Sequence, residues 1–134
     1  MGKMVNNTSN AKKVMIVDDE PDVISVLEIV LKDNGFEVDS FTDPIAALKN
    51  YRVGIYDLLI LDIKMPKMDG FELYDEIKKR DDNAKICFLT ASEMYYKNSR
   101  IEKYCSLDKD LFIQKPIANE DLVEEINKIL SRVQ

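Results

Sequence analysis

The sequence contains no histidine, and this absence excludes several kinds of chemistry at once. Catalysis by Ser–His or Cys–His pairs, metal binding through imidazole and phosphohistidine formation all need that side chain. Only two cysteines are present, Cys87 and Cys105, and their spacing matches neither a disulfide framework nor a zinc site. We therefore expect a reducing, cytoplasmic location for this protein.

Glycine and basic charge are also scarce. The four glycines cannot form a GxGxxG fingerprint or a P-loop. The net charge of −6 argues against direct binding of nucleic acid, which needs clustered Lys and Arg. No apolar run is long enough to cross a membrane, so we expect no membrane insertion. The length of 134 residues fits one domain, predicted over residues 12–134 after a flexible N-terminal tail at residues 1–11.

Short apolar runs alternate with helical patterns along the chain. The runs, which predict strands, are residues 14–17, 36–41, 58–61, 86–89 and 111–113. Helices are predicted after the starts at Pro21, Pro44, Asp69 and Asn119, and Tyr51 is expected inside the second of them. The segment 91–110 has a patchy pattern, and we expect a displaced, irregular or mobile helix there. This alternation predicts an α/β fold with a parallel sheet covered on both faces.

Polar side chains stand where the predicted strands end. Asp18 and Asp19 follow the first strand, Asp62 the third, Thr90 the fourth and Lys115 the fifth. In a parallel sheet these ends share one edge, where ligands bind. Carboxylates about 5 Å apart repel by roughly 3 kcal/mol per pair at an effective dielectric near 20, so three together require a cation. An all-oxygen ligand set favours Mg²⁺.

A carboxylate cluster with a lysine and a hydroxyl is typical of phosphoryl transfer, with one carboxylate as the nucleophile. Each residue alone has an ordinary interpretation: Asp18 and Asp19 as an acidic helix start, Thr90 as a strand-end hydroxyl, Lys115 as a surface lysine. Their joint placement on one edge favours the site. Asp69 is interpreted only as a helix cap.

Four segments together carry a family resemblance, and they are Val17–Pro21, Leu61–Gly70, Leu89–Ala91 and Lys115-Pro116. In order and spacing the chain resembles a response-regulator receiver domain of the CheY-like kind, over nearly its whole length. The resemblance implies a doubly wound, flavodoxin-like (βα)5 fold with a five-stranded parallel sheet in the order 2-1-3-4-5.

The resemblance also implies a role for each matching residue. Asp62 would be the phosphorylated aspartate, and Mg²⁺ (or Mn²⁺) would be held by Asp18, Asp19, Asp62 and the backbone carbonyl of Lys64. Thr90 and Lys115 would contact the phosphoryl group, Thr90 and Phe112 would form the switch, and the Lys115-Pro116 peptide would be cis. We further expect Lys64 and Ser92 to flank the path of an attacking water and to tune dephosphorylation.

The implied function is that of a stand-alone phosphorylation switch. A sensor histidine kinase or a phosphotransfer protein would phosphorylate Asp62, and a surface near the fourth and fifth strands would then contact a downstream protein. The chain would be a monomer or a phosphorylation-dependent dimer, and it would be no enzyme beyond assisting its own phosphorylation and slow autodephosphorylation. Its segment between Thr90 and Lys115 is longer than in most relatives and lacks their Gly-Ala pair.

Two other functions remain open at this stage. A receiver-like scaffold would bind its partner without phosphorylation, although a pure scaffold does not need mutually repelling carboxylates. A hydrolase of the haloacid-dehalogenase type would use an aspartyl-phosphate intermediate, but it carries a second acid where this chain has Lys64.

Overall fold

The computed structural model describes residues 11–91, 112–115 and 119–131. Within these ranges the chain forms five strands and four helices. The strands are β1 (Lys13–Val17), β2 (Glu37–Phe41), β3 (Leu58–Asp62), β4 (Ile86–Ala91) and β5 (Phe112–Lys115). The helices are α1 (Pro21–Asp33), α2 (Pro44–Asn50), α3 (Gly70–Arg80) and α4 (Asn119–Ser131). Residues 1–10 of the predicted tail lie outside the described residues. Residues 92–111, which include nearly all of the segment predicted as an irregular helix, also lie outside them.

All strand pairs are parallel, and the sheet has the order β2-β1-β3-β4-β5. The predicted fold class and strand order are therefore confirmed. The central strands β1 and β3 are buried on both faces, which explains their uninterrupted apolar runs. The edge strand β2 is only partly buried, and three of its five residues are polar.

Local sequence signals set the helix starts. Asp43 caps α2 by accepting a hydrogen bond from the backbone of Ile45, and Pro44 stands at the first helical position. Asp69 and Glu72 form a reciprocal capping box at the start of α3, as the spacing predicts. Gly35, at φ +89°, ends α1 in the left-handed region that glycine adopts without strain.

The prediction that α2 continues through Tyr51 is wrong. The helix ends at Asn50, and Tyr51 has extended backbone. Its ring stacks on Tyr56 with a centroid separation of 5.9 Å, and its hydroxyl donates to Asp81 at 2.8 Å. Of these two contacts only the one to Asp81 is with a residue distant in sequence, and tertiary contacts of this kind can override a local helical pattern.

Two buried cores lie on opposite faces of the sheet. The first, here called the aliphatic core, packs α1 and α4 against the sheet through residues such as Leu27, Leu31, Ile126 and Ile129. The second, here called the aromatic core, lies under α2 and α3 and includes Phe71 and Phe88, with Tyr74 and Phe112 packed against it. Among the described residues no helix has the length and hydropathy that a membrane span requires.

Candidate functional site

Three aspartates meet at the carboxyl end of the sheet. Asp18 and Asp19 directly follow β1, and Asp62 is the last residue of the neighbouring strand β3. One carboxylate oxygen from each lies within 4.8 Å of the other two. Asp18 is 1% exposed and Asp62 is 7% exposed, so two of these acids are buried. The expectation that the fold gathers these three side chains is met.

The chain leaves β1 through a turn that fixes Asp18. The backbone N–H of Asp18 donates to the carbonyl of Phe41 on β2, at 3.1 Å. Its Oδ1 atom accepts a hydrogen bond from the backbone N–H of Glu20, at 2.9 Å. Glu20 is the residue before α1, and its own side chain makes no cap hydrogen bond. Asp18 therefore stabilises the start of α1 while it also lines the acidic cluster.

The donor chemistry of the cluster fits a hard divalent cation. Three carboxylates so close together repel one another strongly in a partly buried site. Oxygen ligands from Asp side chains and backbone carbonyls are those that Mg²⁺ takes in proteins, usually with several waters retained. The exposed Lys64 stands two residues beyond Asp62, at the start of the loop that leads to α3. Its carbonyl is the further oxygen expected from the sequence.

The loop between β3 and α3, residues 63–69, is held at several points. The backbone N–H of Gly70 donates to the carbonyl of Ile63 at 2.7 Å, and that of Met68 donates to the carbonyl of Pro66 at 2.8 Å. Lys67 has φ +73°, an uncommon conformation for a residue with a side chain. Ile63 and Met65 are buried in the aromatic core. The loop beside Asp62 is therefore ordered by packing and by its own hydrogen bonds.

Thr90 and Lys115 reach the same edge through their strands. Thr90 pairs in register with Gln114, and Ala91 pairs with Lys115, at the carboxyl ends of β4 and β5. Asp62 stands opposite Leu89, the residue before Thr90. The backbone thus places both residues at the end of the sheet that carries the aspartates. The positions of their side chains, and the predictions for Ser92 and Pro116, fall outside the described part of the structure.

Phe112 is half-buried at the start of β5 and belongs to a row of aromatic rings. It stacks on Phe88 with a centroid separation of 5.2 Å. Phe88 in turn contacts Phe71 at 5.0 Å and Tyr74 at 5.5 Å. Such ring pairs add to the stability that burial provides. The row connects the predicted switch residue Phe112 to helix α3, a connection that the sequence pattern did not indicate.

Comparison with known proteins supports one family. The model of the family described as "Response regulator receiver domain" matches residues 14–127. The transcriptional regulatory protein PrrA of Mycobacterium leprae is 30% identical over 125 residues, which cover 92% of this chain and 52% of that protein. The chain spans about half the length of the curated relatives it matches.

Solved structures of similar size share the fold. Response regulator TrrA from Thermotoga maritima, in complex with Mg²⁺ and BeF, has a TM-score of 0.71 and 31% identity, over 88% of this chain and 98% of that one. A chain from the CheX–CheY–BeF3–Mg²⁺ complex of Borrelia burgdorferi has a TM-score of 0.73 and 25% identity, over 90% of each chain.

Proposed function

The chain belongs to the response regulator receiver domain family, and from that membership we propose that it is a phosphorylation switch with Asp62 as the phosphoryl acceptor. The observation that carries this proposal is the meeting of Asp18, Asp19 and Asp62, with oxygen atoms within 4.8 Å of one another. Burial of two of three mutually repelling acids is costly, and a bound cation would offset that cost. Family membership also disfavours the hydrolase alternative, and we propose no activity on an external substrate.

Receiver domains bind Mg²⁺ at acidic residues, and we propose that Asp18, Asp19, Asp62 and the carbonyl of Lys64 hold it here. When bound, the ion would neutralise the carboxylates and the phosphoryl oxygens, which would otherwise repel each other. Asp18 is already fixed by its hydrogen bond to the backbone of Glu20, so it needs little reorganisation to act as a ligand or to orient a bound water.

The reaction that we propose forms one bond and breaks one. A carboxylate oxygen of Asp62 attacks phosphorus, and the bond from phosphorus to the donor's histidine nitrogen breaks, with the electron pair leaving on that nitrogen. We propose that the ammonium of Lys115 and the hydroxyl of Thr90 then contact the new phosphoryl group. The acyl phosphate carries up to about two negative charges, about one more than the carboxylate it replaces, and these charges attract both groups.

The switch would run from Thr90 to Phe112. Thr90 would move toward the phosphoryl group, and Phe112 would turn inward into the space that this movement opens. The half-buried Phe112 ring already packs on Phe88, so a small change there would repack the aromatic row. We propose a cis Lys115-Pro116 peptide beside this switch, and we propose that Lys64 and Ser92 set the rate of dephosphorylation.

The partner and the output are part of the proposal. Receiver domains interact with histidine kinases and downstream partners, and we propose a histidine kinase or phosphotransfer protein as the donor, in the cytoplasm. PrrA is a transcriptional regulator about twice as long as this chain. The receiver-length Borrelia CheY, in contrast, is in complex with CheX. We propose the second mode of output, a stand-alone receiver that contacts another protein, as a monomer or a phosphorylation-dependent dimer.

The test is phosphorylation by a small-molecule donor such as acetyl phosphate. The wild-type chain, with Mg²⁺, should gain one phosphoryl group in intact-mass spectrometry, and chelation of the metal should prevent it. Asp62→Asn preserves the size of the side chain but removes the nucleophilic carboxylate, so the variant should gain none. Asp57→Asn is a matched control on an aspartate at the opposite end of β3, and it should be phosphorylated like the wild type. Unchanged labelling of Asp62→Asn would contradict the assignment.

A second measurement distinguishes the phosphorylation switch from a scaffold that binds its partner without phosphorylation. The phosphorylated and unphosphorylated chains are each used to capture partners, with Asp62→Asn as the reference for the unphosphorylated state. A switch predicts different captured proteins in the two states. Identical partners with identical affinities would instead favour a receiver-like scaffold.

A further inference from the structure

Gly70, the first residue of α3, lies against the backbone of Asp62. A Cβ atom on Gly70 would overlap the carbonyl oxygen of Asp62, and it would lie 2.9 Å from Ile63 Cα and 3.1 Å from the Asp62 carbonyl carbon. The obstacle is backbone, so no side-chain rotation can relieve it. Glycine is therefore required here by space, because the start of the helix touches the proposed phosphoryl acceptor.

A backbone hydrogen bond closes the same contact. The N–H of Gly70 donates to the carbonyl of Ile63 at 2.7 Å and so joins the two ends of the loop. Lys64, whose carbonyl is a proposed metal ligand, lies inside the closed loop. The capping box between Asp69 and Glu72 fixes the first turn of α3 at this point.

The surroundings leave little room for compensation. Phe71 and Leu73, the next buried residues of α3, are 0% exposed and hold the helix against the sheet. Asp62 itself belongs to β3, which pairs with strands on both sides. A methyl group at position 70 therefore pushes either the Asp62–Ile63 peptide or the first turn of α3, and both movements change the loop beside the acidic cluster.

We infer that Gly70 is a positioning residue that sets the backbone of Asp62 and of the Lys64 loop for phosphoryl transfer. This inference rests on the proposed function. Relief of the overlap requires a displacement of about 1 Å, and misplacement of that size is worth about 10²-fold in rate. Helix propensity alone predicts that Gly70→Ala stabilises α3 and leaves the phosphorylation rate unchanged, because alanine favours a helix more than glycine does.

The experiment compares Gly70→Ala with Gly54→Ala. A Cβ at Gly54 meets nothing within 4 Å, but its φ of +82° makes alanine strained there, so this control loses stability without disturbing the cluster. Mg²⁺ affinity is measured by calorimetry, and the initial rate of modification by acetyl phosphate is measured at a temperature where each variant is folded. Gly70→Ala should lose about 10²-fold in rate and should bind Mg²⁺ more weakly, whereas Gly54→Ala should stay within twofold of the wild type.

A second pair of variants decides the matter if Gly70→Ala does not fold. Asp69→Asn and Asp69→Ala remove the same charge, but only asparagine can still cap α3. Loss of the cap loosens the first turn and its hydrogen bond to Ile63, so Asp69→Ala should be severalfold slower than Asp69→Asn. Equal rates in this pair, or a folded Gly70→Ala with wild-type rate and affinity, would overturn the inference alone. A wild-type chain that neither binds Mg²⁺ nor accepts a phosphoryl group would overturn the proposed function and this inference with it.

Discussion

The two faces of the sheet differ in what they bury. The aliphatic core, under α1 and α4, contains one aromatic residue, Phe36, among the buried residues described for it. The aromatic core, under α2 and α3, contains rings in contact with one another and reaches the loop beside Asp62 through Ile63 and Met65. The proposed switch residue Phe112 packs on this second core. The aromatic core therefore connects the loop beside the acidic cluster to the partly buried Phe112, whereas the aliphatic core packs α1 and α4 against the sheet.

The two faces also differ in the surroundings of their polar side-chain groups. Tyr51 and Tyr56 stack beside the aromatic core, and their hydroxyls donate to Asp81 and Asp39, respectively. On the aliphatic side the buried Cys87 thiol lies among hydrocarbon side chains, and burial raises its pKa to about 12. A thiol with so high a pKa forms little thiolate at neutral pH and reacts slowly. The two tyrosine hydroxyls are therefore hydrogen-bonded to carboxylates beside the aromatic core, whereas the Cys87 thiol is buried within the aliphatic core.

Neighbouring residues of β4 give the sharpest test of this difference, because Phe88 points into the aromatic core and Leu89 into the aliphatic core. Both are almost fully buried, so Phe88→Ala should cost about 4 kcal/mol of unfolding free energy and Leu89→Ala about 3 kcal/mol. Beryllofluoride with Mg²⁺ should stabilise wild type and Leu89→Ala equally but Phe88→Ala less, because the aromatic row is broken. The measurement is urea denaturation with and without the phosphoryl analogue, and equal stabilisation of both variants would contradict the distinction.

Cys87 tests whether the aliphatic core excludes polar atoms. Cys87→Ala removes the sulfur and should cost about 1 kcal/mol of unfolding free energy through the space it leaves. Cys87→Ser is closer in size but buries a hydroxyl among hydrocarbon, and it should cost about 2 kcal/mol. Urea denaturation of the two variants gives the comparison. If serine were tolerated better than alanine, a hydrogen-bonding partner would have to lie within this core.

Tyr56 tests how much a hydrogen-bonded hydroxyl contributes to stability beside the aromatic core. Burial, and then its hydrogen bond to Asp39, raise the pKa of Tyr56 to about 12 from an ordinary value of 10. The folded protein thus holds this proton more tightly than the unfolded chain does. The resulting stability is complete below pH 10 and is lost as the pH rises through about 12.

The variant Tyr56→Phe removes the hydroxyl while it keeps the stacked ring. It should lose about 1 kcal/mol of unfolding free energy at neutral pH. Its stability should also fall less steeply with alkaline pH than that of the wild type, as followed by denaturation and tyrosinate absorbance. An unchanged alkaline slope would mean that Tyr56 does not account for this pH dependence.

Features that depend on neighbouring residues, such as buried strands and helix caps, could be predicted from the sequence. The runs at β1 and β3 are buried on both faces, and the caps at Asp43 and Asp69 depend on neighbours within three residues, so these features are visible in the sequence. The acidic cluster was predictable for a further reason. Parallel strands place their carboxyl ends at one edge, and Asp18 and Asp62 both stand there.

Contacts that form only in the folded chain explain what was missed. Tyr51 fits a helical pattern, but α2 ends before it, and its ring stacks on Tyr56 while its hydroxyl donates a hydrogen bond to Asp81. Gly70 looks like an ordinary residue of a helix start, and its contact with the Asp62 backbone exists only once the loop has closed. Gly70 belongs to the segment that carries the family resemblance, but its contact with the Asp62 backbone was not part of the prediction.

Lys67 provides the smallest effect, on the loop that borders the acidic cluster. Its ammonium lies 3.4 Å from Asp43, and both side chains are substantially exposed, so the ion pair should be worth at most about 0.5 kcal/mol. Asp43→Asn keeps the cap of α2 and removes only this pair, and its small loss should vanish at high salt. Lys67→Gly also removes the pair but relieves the φ of +73°, so its unfolding free energy should rise by about 0.5 kcal/mol. A loss of stability in Lys67→Gly would show that the lysine side chain holds this loop more firmly than its exposed contact indicates.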